Sequence, residues 1–246
     1  MRMLGAVLLS ASIAAVASGT SRGNNQEAPV KPLILLYERD PWLMVVGSDS
    51  PTFALYENGK AIFLTPARGY VSVHLGVKER DELIGSLQLG QEFFGLADHY
   101  ETVLKTDQPT NTLVVRYQQR TKRVVVYGRI RSDSEARAKT PAAFLGVFDK
   151  LISYQNSQAK PWLPERIEVL VWPFDNARGT PQPWPKGWPD LQDPATKKRQ
   201  QVYSIYLDSR HFDDLRKLLN SLQQGQALLM NGKKWAISFR LPFPHE

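Results

Sequence analysis

The chain contains no cysteine among its 246 residues. No disulfide framework is therefore available to it, and stability has to come from a packed core. The same absence removes a thiol nucleophile, a thiolate metal site and a lipid-carrying cysteine. Histidine is scarce as well, with four residues, His74, His99, His211 and His245. None is spaced with another histidine or a carboxylate as metal ligands are, so no metal or other cofactor is expected. There is no Walker loop, no G-x-G-x-x-G and no G-x-S-x-G elbow, which leaves nucleotide binding and a serine-hydrolase elbow without support. After residue 17 no apolar run is long enough to span a bilayer, which predicts a mature protein without a transmembrane segment.

What is present begins with an export signal. Arg2 is followed by an apolar stretch from residue 3 to 16, and Ala15-Val16-Ala17 gives the A-x-A pattern of a signal-peptidase site. A cleaved leader over 1–17 follows, and the protein is expected in the periplasm or outside the cell. An uncleaved anchor would need about 20 apolar residues, and Ser18, Thr20 and Arg22 come too early for that. Residues 18–32, with Gly23-Asn24-Asn25-Gln26-Glu27, read as a disordered lead-in. Residues 33–244 then read as one continuous domain; a division into two lobes near 155–160 is the alternative. The formal charge of +7 falls to +6 when Arg2 leaves with the leader. A surplus of this size favours anionic partners or a generally basic solvated surface.

Within the domain the spacing predicts an α+β fold, a largely antiparallel sheet built from β-hairpins with about three helices packed on it. Strands are expected at 33–37, 42–46, 70–75, 167–172 and 202–207. Asn58-Gly59 and Asn231-Gly232 each mark a hairpin turn, supplying the positive φ that tight turns require. A third hairpin is expected around 118–122. Leu83, Ile84 and Leu87 give one helix over 77–89. Thr140 as N-cap with Pro141 in the first turn opens another, carrying Phe144, Phe148, Leu151 and Ile152. A third starts at Asp208 or Ser209, buries Phe212, Leu215, Leu218, Leu219 and Leu222, and closes at Gly225. The alternation of hairpins and helices hints at internal duplication.

Candidate functional residues are few. Residues 160–194 hold Trp162, Trp172, Trp184 and Trp188 among eight prolines. Prolines restrain a loop before it engages a partner, and indole faces stack on sugars or cations. The segment is thus either a polymer- or peptide-binding lip or a loop pinned down by its own buried rings. Lys197-Lys198-Arg199 follows it and could assist an anionic partner, in a segment expected to be a solvated loop. Three charges without an RNP-like or helix-turn-helix pattern give no nucleic-acid motif. Asp98-His99-Tyr100 places a carboxylate beside an imidazole, as base catalysis requires, although adjacent side chains seldom face one another usefully. His211 and His245 are expected at the surface. Carboxylate pairs Asp213/Asp214 and Glu79/Glu82 read as charges complementing helix N-termini.

Three further segments carry a resemblance: Pro51-Thr52-Phe53-x-Leu55-Tyr56-x-x-Gly59, Pro161-Trp162-Leu163-Pro164, and Trp235-x-Ile237-x-Phe239-Arg240-x-Pro242-x-Pro244. In these the chain resembles a family of exported bacterial proteins defined as a domain of unknown function. That resemblance implies export and brings no catalytic residue with it. The first expectation is a non-catalytic protein binding an anionic or polysaccharide envelope component, or another protein. The alternatives are a hydrolase with a dispersed carboxylate or Ser/His site, and a structural or accessory envelope protein.

Overall fold

The computed structural model describes residues 30–39, 41–42, 49–67 and 69–246. The expected leader, nearly all of the lead-in and most of the expected strand at 42–46 lie outside them; Trp42 itself sits in a turn. The chain builds two sheets in succession. The first contains β1 (Pro32–Arg39), β2 (Phe53–Tyr56), β3 (Lys60–Leu64) and β4 (Tyr70–His74). Helices α1 (Val77–Ser86) and α2 (Gln91–Phe94) follow, then β5 (His99–Glu101), β6 (Thr110–Tyr117) and β7 (Arg120–Tyr127). Helices α3 (Ser134–Lys139) and α4 (Ala142–Ile152) lead to the short β8 (Lys160–Pro161), and the strand order is β5-β7-β6-β1-β2-β3-β4-β8.

The second sheet is made of β9 (Arg166–Pro173), β10 (Gln182–Pro183), β11 (Lys197–Arg199), β12 (Val202–Asp208), β13 (Leu228–Met230) and β14 (Lys233–Arg240), with α5 (Phe212–Ser221) between β12 and β13. Its order is β10-β13-β14-β9-β12-β11. Pairing is antiparallel except for β5 with β7 and β10 with β13. The α+β class holds; both sheets are mixed, and the described residues contain five α-helices where about three were expected. The two extra helices, α2 and α3, are four and six residues long. Segments that short hold too little apolar periodicity to be read.

Burial explains the apolar runs. Ile34, Leu35 and Leu36 are consecutive and all buried, as are all four residues of β2. Strands covered on both faces lose the alternation that a half-solvated strand shows. One face of the first sheet carries Leu36, Phe53, Leu55, Phe63, Leu113 and Val126 into a core with Ile84 of α1, Phe93 of α2 and Phe144 and Phe148 of α4. The opposite face contributes Leu35, Ala54, Tyr56 and Ile62 to a second core. That core includes Val169, Val171, Ile205 and Leu207 of the second sheet, Leu215 of α5, and Leu241 and Phe243 of the C-terminal segment.

Turn chemistry departs from expectation in instructive ways. The two Asn-Gly hairpins differ: Asn58-Gly59 closes a three-residue loop with only Gly59 at positive φ (83°), whereas Asn231 and Gly232 are both positive (49° and 75°) in a two-residue turn. The shared dipeptide is thus used in two geometries, which removes the local likeness behind the duplication idea. The turn between β6 and β7 is Gln118-Gln119 alone, both at positive φ with no glycine present. Thr140 does not open α4. Its hydroxyl donates to the Ala136 carbonyl (2.7 Å) and closes α3, and Pro141 stands as the N-cap of α4. Gly225 lies beyond the end of α5, its carbonyl accepting from the Arg178 N–H, so it is a loop glycine and not the helix terminator.

Candidate functional site

The most chemically dense part of the second sheet is the face turned away from its apolar core. Cross-strand pairing puts Tyr206, Glu168 and Arg240 in one row across β12, β9 and β14. Side chains two apart share a face, so Arg166 lies on the same side as Glu168, and Lys197 and Arg199 on the side of Ser204 and Tyr206. Arg166, Glu168, Lys197, Arg199, Tyr206 and Arg240 line a cleft of about 460 Å³ together with Pro194, Ala195, Pro242 and Glu246.

The floor of the cleft is an ion-pair network. Glu168 is 6% exposed in the middle of an apolar strand, and its Oε2 accepts from Arg240 Nε at 2.6 Å. Arg240 reaches Glu246 as well, at 2.9 Å, and Glu246 takes a hydrogen bond from the Phe243 N–H. Burial opposes the charge of the guanidinium, but Glu246 and Glu168 outweigh it and hold its pKa above the ordinary value. Both carboxylates of the cleft are therefore committed to Arg240. At its rim Arg166, Lys197 and Arg199 have no carboxylate partner among the described residues, and Lys197 Nζ stands 5.4 Å from the centre of the Tyr206 ring. Some basic side chains elsewhere do find a carboxylate: Arg39 pairs with Asp49, Arg131 with Glu38 and Arg137 with Asp149.

Behind the network the chain ends in a polar knot. His245, expected at the surface, is half-buried: its Nδ1 lies 2.9 Å from the Tyr56 hydroxyl and its Nε2 3.3 Å from that of Tyr37. A neutral imidazole offers one donor and one acceptor, so one tyrosine gives a proton and the other receives one. Burial lowers the pKa of His245, and burial with the nearby Glu246 charge pushes the Tyr37 hydroxyl up to about 12. Tyr70 donates to the Pro51 carbonyl at 2.9 Å and packs edge-on against Phe243. Every group here is satisfied internally, which makes the knot a tether for the C-terminal segment.

The tryptophans do not form a common flat surface. Trp162 is 9% exposed and packs against Tyr70 and Phe243 in the second core. Trp184 is 8% exposed, with its indole N–H donating to the Pro189 carbonyl at 3.0 Å. Trp188 meets Trp184 at 82° between ring planes and lies against His211. Trp172 is partly buried on β9. The Trp184–Trp188 pair is thus brought together, and Trp162 joins a different cluster. The basic run is not a loop: Lys197–Arg199 is an edge strand, which sends Lys197 and Arg199 to the cleft and Lys198 to the Tyr203 ring on the other face.

Asp98 is bound to Lys122 at 2.7 Å, and His99 faces Glu101 at 3.7 Å in an exposed setting, so Asp98 does not orient His99. Ser50 donates to the Leu241 carbonyl. The carboxylates Asp213 and Asp214 lie in the first turn of α5, and Glu79 in that of α1.

Arg166, Glu168, Tyr206, Arg240 and Glu246 went unread in the sequence because they lie far apart in it and only register brings them together. Each strand still carried a sign: a charged residue inside an apolar alternation, as in Ile167-Glu168-Val169 and Phe239-Arg240-Leu241, has to meet a partner. Compared with family models, curated proteins and solved structures, the chain shows no significant match to any.

Proposed function

We propose that this protein is an exported, non-catalytic binding protein that holds an acidic polysaccharide in the basic cleft of its second sheet. The observation that carries the reading is the convergence of Arg166, Lys197 and Arg199 on one open cleft without carboxylate partners among the described residues. Cations left unneutralised around a concave surface attract a chain of repeated anions. The Tyr206 ring and the flanking Pro194 and Pro242 add apolar surface against which sugar rings can lie. A binding role is favoured over catalysis because Glu168 and Glu246 are engaged by Arg240 and His245 is closed between two tyrosines. Export rests on the leader over 1–17, and the tryptophan-rich segment serves this reading as support for the loop that carries Pro194 and Ala195.

The test is sedimentation of the mature protein with polygalacturonate, beside an Arg166→Ala/Lys197→Ala/Arg199→Ala variant. Exposed ion pairs contribute about 0.2–1 kcal/mol each, so loss of three should weaken binding by about 3- to 150-fold. Binding should also fall as NaCl rises to about 0.5 M, where charges are screened within a few ångströms. Equal binding by the variant and the parent would refute the assignment of the cleft.

A further inference from the structure

A separate surface lies on the first sheet, where β5 stops short. Strand β5 accompanies β7 only from His99 opposite Val125 to Glu101 opposite Tyr127. Along this edge the Val125 N–H donates to the Asp98 carbonyl and the Thr102 N–H to the Tyr127 carbonyl. Residues 125 and 127 therefore direct their backbone groups outward, toward β5. Backbone direction alternates along a strand, so Arg123 and Thr121 direct theirs to the same side. No strand among the described residues continues the ladder there. The Ala97 N–H turns back to the Tyr100 hydroxyl at 2.8 Å, and the backbone groups of Thr121 and Arg123 meet no partner among the described residues.

The vacant stretch opens on a notch of about 640 Å³ lined by Phe94, Asp98, Arg120, Thr121, Lys122 and Arg123. Arg120 lies 4.0 Å over the Phe94 ring, Lys122 is tied to Asp98, and Arg123 has no ion pair among the described residues. Three cations thus flank two outward N–H and two outward C=O groups, with a single carboxylate among them.

We propose that this edge of β7 receives an extended acidic peptide segment of a partner protein as an added strand. Strand addition draws its affinity from main-chain hydrogen bonds and its selectivity from the flanking side chains. Here those side chains select for negative charge. A second copy of this chain is a poor occupant: pairing the edge with itself would set Arg120, Lys122 and Arg123 against the same residues, and opposed like charges destabilise a sheet. Basic side chains on an open edge discourage exactly that self-pairing, which leaves acidic strands as the complementary class. The proposal is independent of the cleft on the second sheet.

The experiment uses the whole mature protein and a fluorescein-labelled Glu-Val-Glu-Val-Glu peptide, with binding read by anisotropy. Two comparison peptides are a Lys-Val-Lys-Val-Lys analogue and a Glu-Val peptide N-methylated at every internal amide, which keeps the charge and removes the donors from both edges. The protein variant is Thr121→Pro, which deletes an N–H pointing away from β6, where proline is tolerated on an edge. The Glu-Val peptide should bind the parent, about tenfold more weakly when N-methylated or with Thr121→Pro, and the lysine analogue should not bind. No binding of the Glu-Val peptide overturns the proposal, and so does undiminished binding after N-methylation. A dimer of the parent that Thr121→Pro dissolves also overturns it, since the edge would then belong to a second copy. Should Thr121→Pro fail to fold, the N-methylated peptide decides on the parent protein alone.

Discussion

Replacing His245 with alanine tests whether the tyrosine knot fastens the two sheets together. The Tyr56 side chain is fully buried, and in the variant its hydroxyl loses the ring nitrogen 2.9 Å away. A buried polar group left without a partner costs about 1–3 kcal/mol. Lost contact of the imidazole with the Tyr56 and Phe243 rings, and of the Tyr37 hydroxyl with Nε2, adds to this. A total near 2–3 kcal/mol corresponds to a fall in Tm of about 5–10 °C for a chain of this size. Urea unfolding followed by tryptophan fluorescence reports it, since Trp162, Trp184 and Trp235 are buried. The stricter test is a cycle with Tyr56→Phe. In the parent this change should cost about 1 kcal/mol. In the His245→Ala background it removes the orphaned hydroxyl and should be neutral or stabilising, a coupling of about 1–2 kcal/mol. Additivity of the two changes within about 0.5 kcal/mol would refute the bond between them.

Other consequences can be checked directly. Burial lowers the pKa of His245 from 6.5, so the unfolded chain binds its proton first; stability should hold above about pH 6.5 and decline as the pH falls from there toward the folded pKa, and His245→Gln should flatten that part of the profile. Gly59 has φ of 83° and an added Cβ would lie 2.3 Å from the Leu75 carbonyl oxygen, whereas Gly187, at 84°, has open space. Gly59→Ala should therefore lower stability by several kcal/mol, against about 1 kcal/mol for Gly187→Ala, as measured by urea midpoints. Trp184→Phe should destabilise by about 1–2 kcal/mol, since it forfeits the indole donor to Pro189 and part of the contact with Trp188; an unchanged midpoint would show that the loop is not pinned by that ring.

How far the sequence could be read follows from range. Signals confined to a few neighbours were legible: the apolar stripe of Phe144, Phe148 and Leu151, the Asn-Gly turns, the strands at 167–172 and 202–207. Short helices were not, because four residues in α2 cannot show a period of 3.6. Thr140 misled because a threonine before a proline suits a helix start, while its hydroxyl found the carbonyl of the preceding helix. The cleft was invisible for a different reason. Glu168 and Arg240 stand 72 residues apart and meet only through the register of β9 with β14. Lys197-Lys198-Arg199 was noticed for its charge, but strand alternation, which sorts it into two faces, follows only once β12 is placed beside it.

The tyrosine knot also sets a clock. Tyr56 waits for a partner 189 residues further along the chain. At about 5–20 residues per second, synthesis needs about 10–40 s to supply it. Through that interval the inner face of the first sheet, Leu35, Ala54, Tyr56 and Ile62, lacks the residues that complete its cover. A nascent or truncated chain ending before Leu241 would therefore expose an adhesive apolar strip. Its solubility should depend on the last few residues far more than their number suggests.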